Sequence, residues 1–293
     1  MVKKFLIAWG NWHLSPDYKA MVLEQVKHHD MMTCGFEHAQ QVPSIKQSNP
    51  AIKVLGYIDL AIGRPTLQSV TNTWNTNKSY GYDGIFFDDL WSQPPIDWMT
   101  HAQMKQFLRD VKATLGCIII GNGPDVDYAG DCDGIMEEGF TVHERIDPLG
   151  HIQRMLTVTS QNKICVAAVH NREYDVSDTE ETCQFALGCF LCADNNGKGY
   201  FSVTDIWDTS RGWWQMMDVD PGTPQGAYTQ TGNILTRMFT KAKVTVNLDL
   251  KTAIIETIEP PPVVEAGVDW KVPAALGFIG LLGLWWASRK KKR

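Results

Sequence analysis

Two segments of the chain share one pattern. Asp83-Gly84-Ile85-Phe86-Phe87-Asp88 and Asp133-Gly134-Ile135-Met136-Glu137-Glu138 both read Asp-Gly-Ile, two further residues, then an acid. In each, Asp-Gly turns the chain into a strand that ends on a carboxylate. Side chains of a strand alternate between its faces, so Asp88 and Glu138 are expected to share both height and facing. A single strand-end acid commonly caps a helix or pairs with arginine. Two in matched register above apolar runs suit acid/base work instead. Paired carboxylates are what cleavage of a glycosidic bond needs: one protonates the leaving oxygen while the other attacks the sugar or activates water. Glu138 is the expected general acid and Asp88 the nucleophile or base.

Asp89 and Glu137 are the adjacent rivals. Strand parity aims both outward at a helix layer, where a salt bridge is the expected role. Parity slips easily at strand ends, so both stay among the residues that could reach substrate. Further polar groups close other apolar runs: Tyr57 and Asp59 in Gly56-Tyr57-Ile58-Asp59, then Asn122, then His170. They suit hydroxyl recognition or tuning of the carboxylates. Eleven tryptophans are many for this length, and Trp9, Trp12, Trp91 and Trp207 fall at predicted strand ends, where flat rings can stack on sugar faces. Asp125, Asp127, Asp131 and Asp133 resemble a calcium loop, but their spacing is not that of an EF-hand, and a solvated loop explains them. With no metal motif and no Gly-x-x-x-x-Gly-Lys, neither metal nor cofactor is expected.

The elements that must position these groups follow an alternating plan. Apolar runs at 5–9, 32–36, 53–59, 84–88, 117–121, 134–138, 164–170 and 200–204 read as strands. Helical patterns lie between them at 17–29, 97–115, 148–159 and 178–193, and a further one follows at 206–217. Such βα units build a parallel sheet, and eight of them close into a (β/α)8 TIM barrel. An open doubly wound sheet would carry a Gly-rich phosphate turn after its first strand, where this chain has Gly10-Asn11-Trp12-His13. The barrel is expected over residues 1–257, with 235–240 and 244–248 forming a β-hairpin on its edge.

The chain of 293 residues is 44% hydrophobic, enough for one large core. Its net charge is −6 even though Arg289 to Arg293 are all basic, so the body is acidic and nucleic acid is not expected as a partner. Neutral or cationic polymers remain as substrates. The seven cysteines are an odd number, several in apolar runs, and read as buried free thiols, which points to synthesis and folding in a cytoplasm. Cys189-x-x-Cys192 lies in an apolar helical stretch with no second Cys or His pair, which argues against redox or metal use. Residues 258–271 read as a Pro-rich linker. Residues 272–293 are expected to form a single C-terminal transmembrane helix with Trp285, Trp286 and a basic end at the lipid interface. The membrane would then be a partner through that helix, with the side on which the barrel lies left open.

Tyr82-Asp83-Gly84-Ile85-Phe86-Phe87-Asp88-Asp89 resembles the strand-four segment of hypothetical glycoside hydrolase family 15, a family of glycosidase-like TIM barrels. It is similar also to the related endo-alpha-1,4-polygalactosaminidase-like group. Val54-Leu55-Gly56-Tyr57 resembles the family's third strand, and Met136-Glu137-Glu138-Gly139-Phe140 its sixth. Arg237-Met238-Phe239 with Val244-Thr245-Val246-Asn247 resembles its closing hairpin, with Lys241-Ala242 where Asn-Gly is usual. The resemblance covers roughly residues 1–250. It implies a glycoside hydrolase acting on a polysaccharide, and carries the reacting roles to Asp88 and Glu138. Two readings compete: a non-catalytic glycan-binding barrel of a surface or virion, and a tail-anchored intracellular scaffold.

Overall fold

The computed structural model describes residues 1–8, 16–90, 98–123, 125–142, 146–169, 180–194, 196–203 and 217–258. The apolar runs form strands β1 (Phe5–Ile7), β2 (Met31–Gly35), β3 (Lys53–Asp59), β4 (Gly84–Asp88), β5 (Ile118–Asn122), β6 (Gly134–Glu138), β7 (Ile164–Val169) and β8 (Gly199–Val203). They pair in chain order from β1 to β8, each neighbour parallel. The Phe201 N–H donates to the Lys3 carbonyl at 2.9 Å, and a parallel bridge joins Lys4 to Phe201, so β8 returns to β1 in a nearly closed barrel.

Around it lie α1 (Pro16–Val26), α2 (Val42–Ser48), α3 (Leu60–Gly63), α4 (Leu67–Asn77), α5 (His101–Leu115), α6 (Pro148–Ser160) and α7 (Glu180–Ala193). Thr66 and Thr100 open α4 and α5 with capping boxes, satisfying first-turn N–H groups. The acidic stretch 125–133 is pinned to one face of α5. His101 meets Asp125 at 3.2 Å, Arg109 meets Asp131 at 2.6 Å and Lys112 meets Asp133 at 2.5 Å. The aspartates that resembled a calcium loop are thus ion-pair partners of a neighbouring helix.

Strand alternation sorts the core into two layers. Phe5, Leu55, Phe86, Ile120, Met136 and Val166 fill the barrel interior. Val54, Ile85, Phe87, Ile119, Ile135 and Cys165 face the helices. The repeated Asp-Gly does its work at the strand starts, away from the strand-end acids. Asp83 accepts from the Val54 N–H of β3 at 2.9 Å and from Lys46 and Lys53; Asp133 accepts from the Ile119 N–H of β5 at 3.0 Å and from Lys112. Burial alone would raise the Asp83 carboxyl, but its bonds to Lys46 and Val54 bring it below the ordinary value. The glycines are needed because strands approach closely: a Cβ on Gly84 would lie 2.1 Å from the Ile118 carbonyl oxygen, and one on Gly134 2.5 Å from that of Ile164.

Two expectations are corrected. The edge hairpin is half of a four-stranded antiparallel sheet, β9 (Thr229–Thr231), β10 (Ile234–Met238), β11 (Ala242–Asn247) and β12 (Thr252–Thr257), in the order β12-β11-β10-β9. The reason lies in α7, which is buried on every side from Phe185 to Ala193 and needs an outer cover. Gly188 admits that cover, since a Cβ there would stand 2.4 Å from the Ala253 Cβ. Arg237, 2% exposed, donates to the carbonyls of Leu191, Cys192 and Asp194 at 2.8–3.0 Å. A cation thus satisfies the acceptors that the end of α7 leaves without an intrahelical donor.

The second correction concerns the membrane. No helix among the described residues is long and apolar enough to cross one, so the expected transmembrane helix, and with it the membrane as a partner, finds no support in the described fold, which is the barrel with its added sheet. That expectation rested on the apolar run after the Pro-rich linker, on Trp285 and Trp286 and on the basic end, and an apolar run of that composition does not by itself make a spanning helix. Residues 259–293, and with them most of the linker and the basic end, lie outside the described residues, as does most of 206–217. The chain forms a compact unit over Met1–Glu259. All seven cysteines are free and six are buried; burial pushes the Cys34 and Cys192 thiols up to about 12.

Candidate active site

The interior-facing lanes of four consecutive strands end in polar groups. Beyond Leu55 on β3 comes Tyr57, and beyond Phe86 on β4 comes Asp88. Beyond Ile120 on β5 comes Asn122, and beyond Met136 on β6 comes Glu138. An apolar plug therefore lies directly beneath a polar rim, at the C-terminal strand ends where barrels of this type carry their chemistry.

Three donors converge on Asp88. The Tyr57 hydroxyl donates to Oδ2 at 2.8 Å, the Asn122 amide to Oδ1 at 2.8 Å, and the Asp89 backbone N–H to Oδ1 at 2.9 Å. All three suit an ionised carboxylate, which can only accept. Burial first, then the charge of Asp88, holds the Tyr57 phenol proton well above its ordinary range, so Tyr57 stays a donor. The same Asn122 nitrogen also donates to Glu138 Oε2 at 2.7 Å. Those two bonds hold the nearest oxygens of the pair no more than 5.5 Å apart. Asp88 is half-buried, Asn122 is buried and Glu138 is exposed.

The matched Asp-Gly-Ile segments do not put the two acids at one height. Phe86 pairs with Ile120, and Ile120 pairs with Gly134, so β6 starts two residues further along than β4. That stagger is the shear a closed barrel requires. The longer glutamate side chain spans the offset back to Asn122.

The remaining sequence-predicted residues divide. Tyr57 and Asn122 join the pair directly. Asp59 instead caps α3, accepting from the Ile62 N–H at 2.8 Å. Asp89 contributes its backbone N–H and holds a left-handed conformation, φ 58°. Glu137 lies on the outer face, 4% exposed, where Arg154 donates to both its oxygens at 2.8 and 2.9 Å and His151 Nδ1 sits 2.8 Å from Oε1. The structure keeps it away from the pair. Trp9, Trp12, Trp91, His170 and Trp207 lie outside the described residues. One contributor was missed altogether: Leu90, whose N–H donates to the Asn122 carbonyl at 2.7 Å. Two glycines flanking Asn122 were its signal, because glycines two apart on one strand face mark a close approach.

Comparison with known proteins adds the following. The sequence pattern of a family described as hypothetical glycosyl hydrolase family 15 matches residues 68–243. No curated protein sequence matches. Among solved structures, the chain is similar to the glycoside hydrolase domain of PelA from Pseudomonas aeruginosa, with 12% identity and a TM-score of 0.47 over 69% of this chain and 95% of that one. It is similar also to dihydrodipicolinate synthase from Bacillus clausii, with 14% identity and a TM-score of 0.44 over 68% of each chain. The spore cortex-lytic enzyme SleL of Bacillus cereus gives 12% identity and a TM-score of 0.40 over 57% of this chain and 51% of that one. A synthase, a glycoside hydrolase domain and a cortex-lytic enzyme stand side by side in that set, and at these scores the likeness transfers no chemistry.

Proposed function

The chain belongs to hypothetical glycosyl hydrolase family 15, and from that premise we propose that it cleaves glycosidic bonds of a polysaccharide with Asp88 and Glu138 as the reacting carboxylates. The observation that carries this reading is the shared Asn122 amide, which keeps the two groups within 5.5 Å. A separation of about 5–5.5 Å suits a retaining glycosidase, whereas an inverting one needs about 6.5–9.5 Å to seat a water between its carboxyls.

Asp88, held by three donors, attacks the anomeric carbon. The bond to the leaving oxygen breaks as exposed Glu138 delivers a proton to that oxygen, leaving a glycosyl ester on Asp88. Glu138, now a carboxylate, takes a proton from water, and the resulting attack on the anomeric carbon expels Asp88. The acidic rim and acidic body favour neutral or cationic sugars over anionic ones.

The test is release of reducing ends from a panel of neutral and amino-sugar polysaccharides. Wild-type protein is expected to cleave at least one, and Glu138→Gln to fold normally while losing hydrolysis. Full activity in Glu138→Gln would sink the assignment. Glycan binding that survives replacement of both acids, with no cleavage by the wild type, would establish a binding barrel instead.

A further inference from the structure

Gly121-Asn122-Gly123 ends β5 with a pattern that acid/base chemistry alone does not explain. Asn122 points into the barrel mouth and its two glycines point the other way, where Leu90 is packed. A Cβ on Gly121 would stand 1.9 Å from Leu90 Cδ1, and one on Gly123 2.5 Å from the Leu90 carbonyl oxygen. No residue with a side chain admits Leu90 that closely. Leu90 is fully buried, and its N–H donates to the Asn122 carbonyl at 2.7 Å. Between Asp88 and Leu90, Asp89 takes φ 58°, a region that residues with a Cβ seldom occupy. The turn after β4 is thus pressed onto β5, clamping Asn122 through its backbone while its amide reaches both carboxylates.

We propose that Asn122 is the positioning residue of the Asp88–Glu138 pair, and that Leu90, seated on the two glycines, fixes its amide. This rests on the reading of those two acids as the reacting pair. Two carboxylates this close repel one another, and a neutral amide with two N–H groups offsets that repulsion by donating one to each. Asn122 is only 9% exposed and its nitrogen is engaged by both acids, so a sugar hydroxyl is not its partner. Without the amide, the bond that joins the two acids is gone and the separation opens.

Crystal structures of the full chain carrying Asn122→Ala or Asn122→Asp test this without any substrate. Asn122→Asp keeps the volume and removes the donor, so it serves even if Asn122→Ala folds poorly. Gly123→Ala keeps the amide and displaces Leu90. In each variant the nearest Asp88 and Glu138 oxygens are expected beyond 5.5 Å; an unchanged separation in Asn122→Asp and Gly123→Ala overturns the proposal. On any polysaccharide that the wild type cleaves, Asn122→Asp is expected to lower kcat about 100-fold, as misplacement of a reacting group does, with KM little changed. A rise in KM with kcat retained would make Asn122 a substrate contact and overturn the proposal. If the wild type cleaves nothing, the hydrolase reading fails by itself, and the crystallographic separation still decides the positioning role.

Discussion

Asp88 and Glu138 sit two strands apart and two residues out of register, yet both accept from one nitrogen, at 2.8 and 2.7 Å. A pair held this close leaves no room for a water between nucleophile and acid in the manner of an inverting enzyme. Hydrolysis is therefore expected to proceed with net retention. Proton NMR of the first product formed should show the anomer of the substrate. Initial release of the opposite anomer would remove Asp88 as nucleophile and leave it as a base.

Tyr57 offers a milder probe of the same carboxylate. Its hydroxyl is one of three donors on Asp88, at 2.8 Å, and its ring stacks on Phe86 with centroids 6.2 Å apart. Tyr57→Phe keeps the ring and removes the donor. A hydrogen bond to a charged group contributes about 1.5–3 kcal/mol, so kcat is expected to fall about 10- to 100-fold with the circular dichroism spectrum unchanged. Unaltered kcat would mean that the charge on Asp88 does not change along the reaction.

The repeated Asp-Gly-Ile predicts matched stability effects. Gly84→Ala and Gly134→Ala each drive a Cβ against the carbonyl of a neighbouring strand, at 2.1 and 2.5 Å before relaxation. Each is expected to cost about 2 kcal/mol or more in urea unfolding, as overpacking within a sheet does. Gly130→Ala is the control: no atom lies within 4 Å of its added Cβ, and a change within about 0.5 kcal/mol is expected. Equal effects at all three positions would refute the close-approach explanation.

Acid should weaken the fold through His29. This ring is 5% exposed, with Nδ1 2.7 Å from the Gln25 carbonyl, and burial lowers it from 6.5 to about 4. Between pH 6.5 and about 4 the unfolded chain takes up a proton that the folded chain refuses. The neutral buried ring therefore contributes stability at pH 7 that is lost as pH falls through this window, by on the order of 3 kcal/mol. His29→Gln cannot take up that proton. The wild-type advantage in urea midpoint over this variant should shrink between pH 7 and pH 4.5, and an advantage independent of pH would contradict the assignment.

Much of the fold was legible because its signals are local. β3, β4 and β6 lie where their apolar runs placed them, since Asp-Gly turns, strand-end acids and alternation within five residues need no distant partner. α4 escaped notice because it buries only Val70 and Trp74 among threonines and asparagines, too thin a stripe to show a helical period. β9 is exposed along all three of its residues, so no alternation could reveal it. β12 was hidden by Ile254, an exposed apolar residue beside buried Ala253.

The site divides along the same line. The sequence alone determined which acids end interior lanes, because facing follows from parity along a single strand. Their separation was decided by the tertiary structure. The shear between β4 and β6 offsets the two motifs by two residues, and that offset is a property of the closed barrel that neither segment encodes. Asn122 reaches both acids only because β5 runs between them, with Leu90 packed against its two glycines. A contact shared by three strands depends on how those strands are brought together, and that is settled only when the whole barrel has formed.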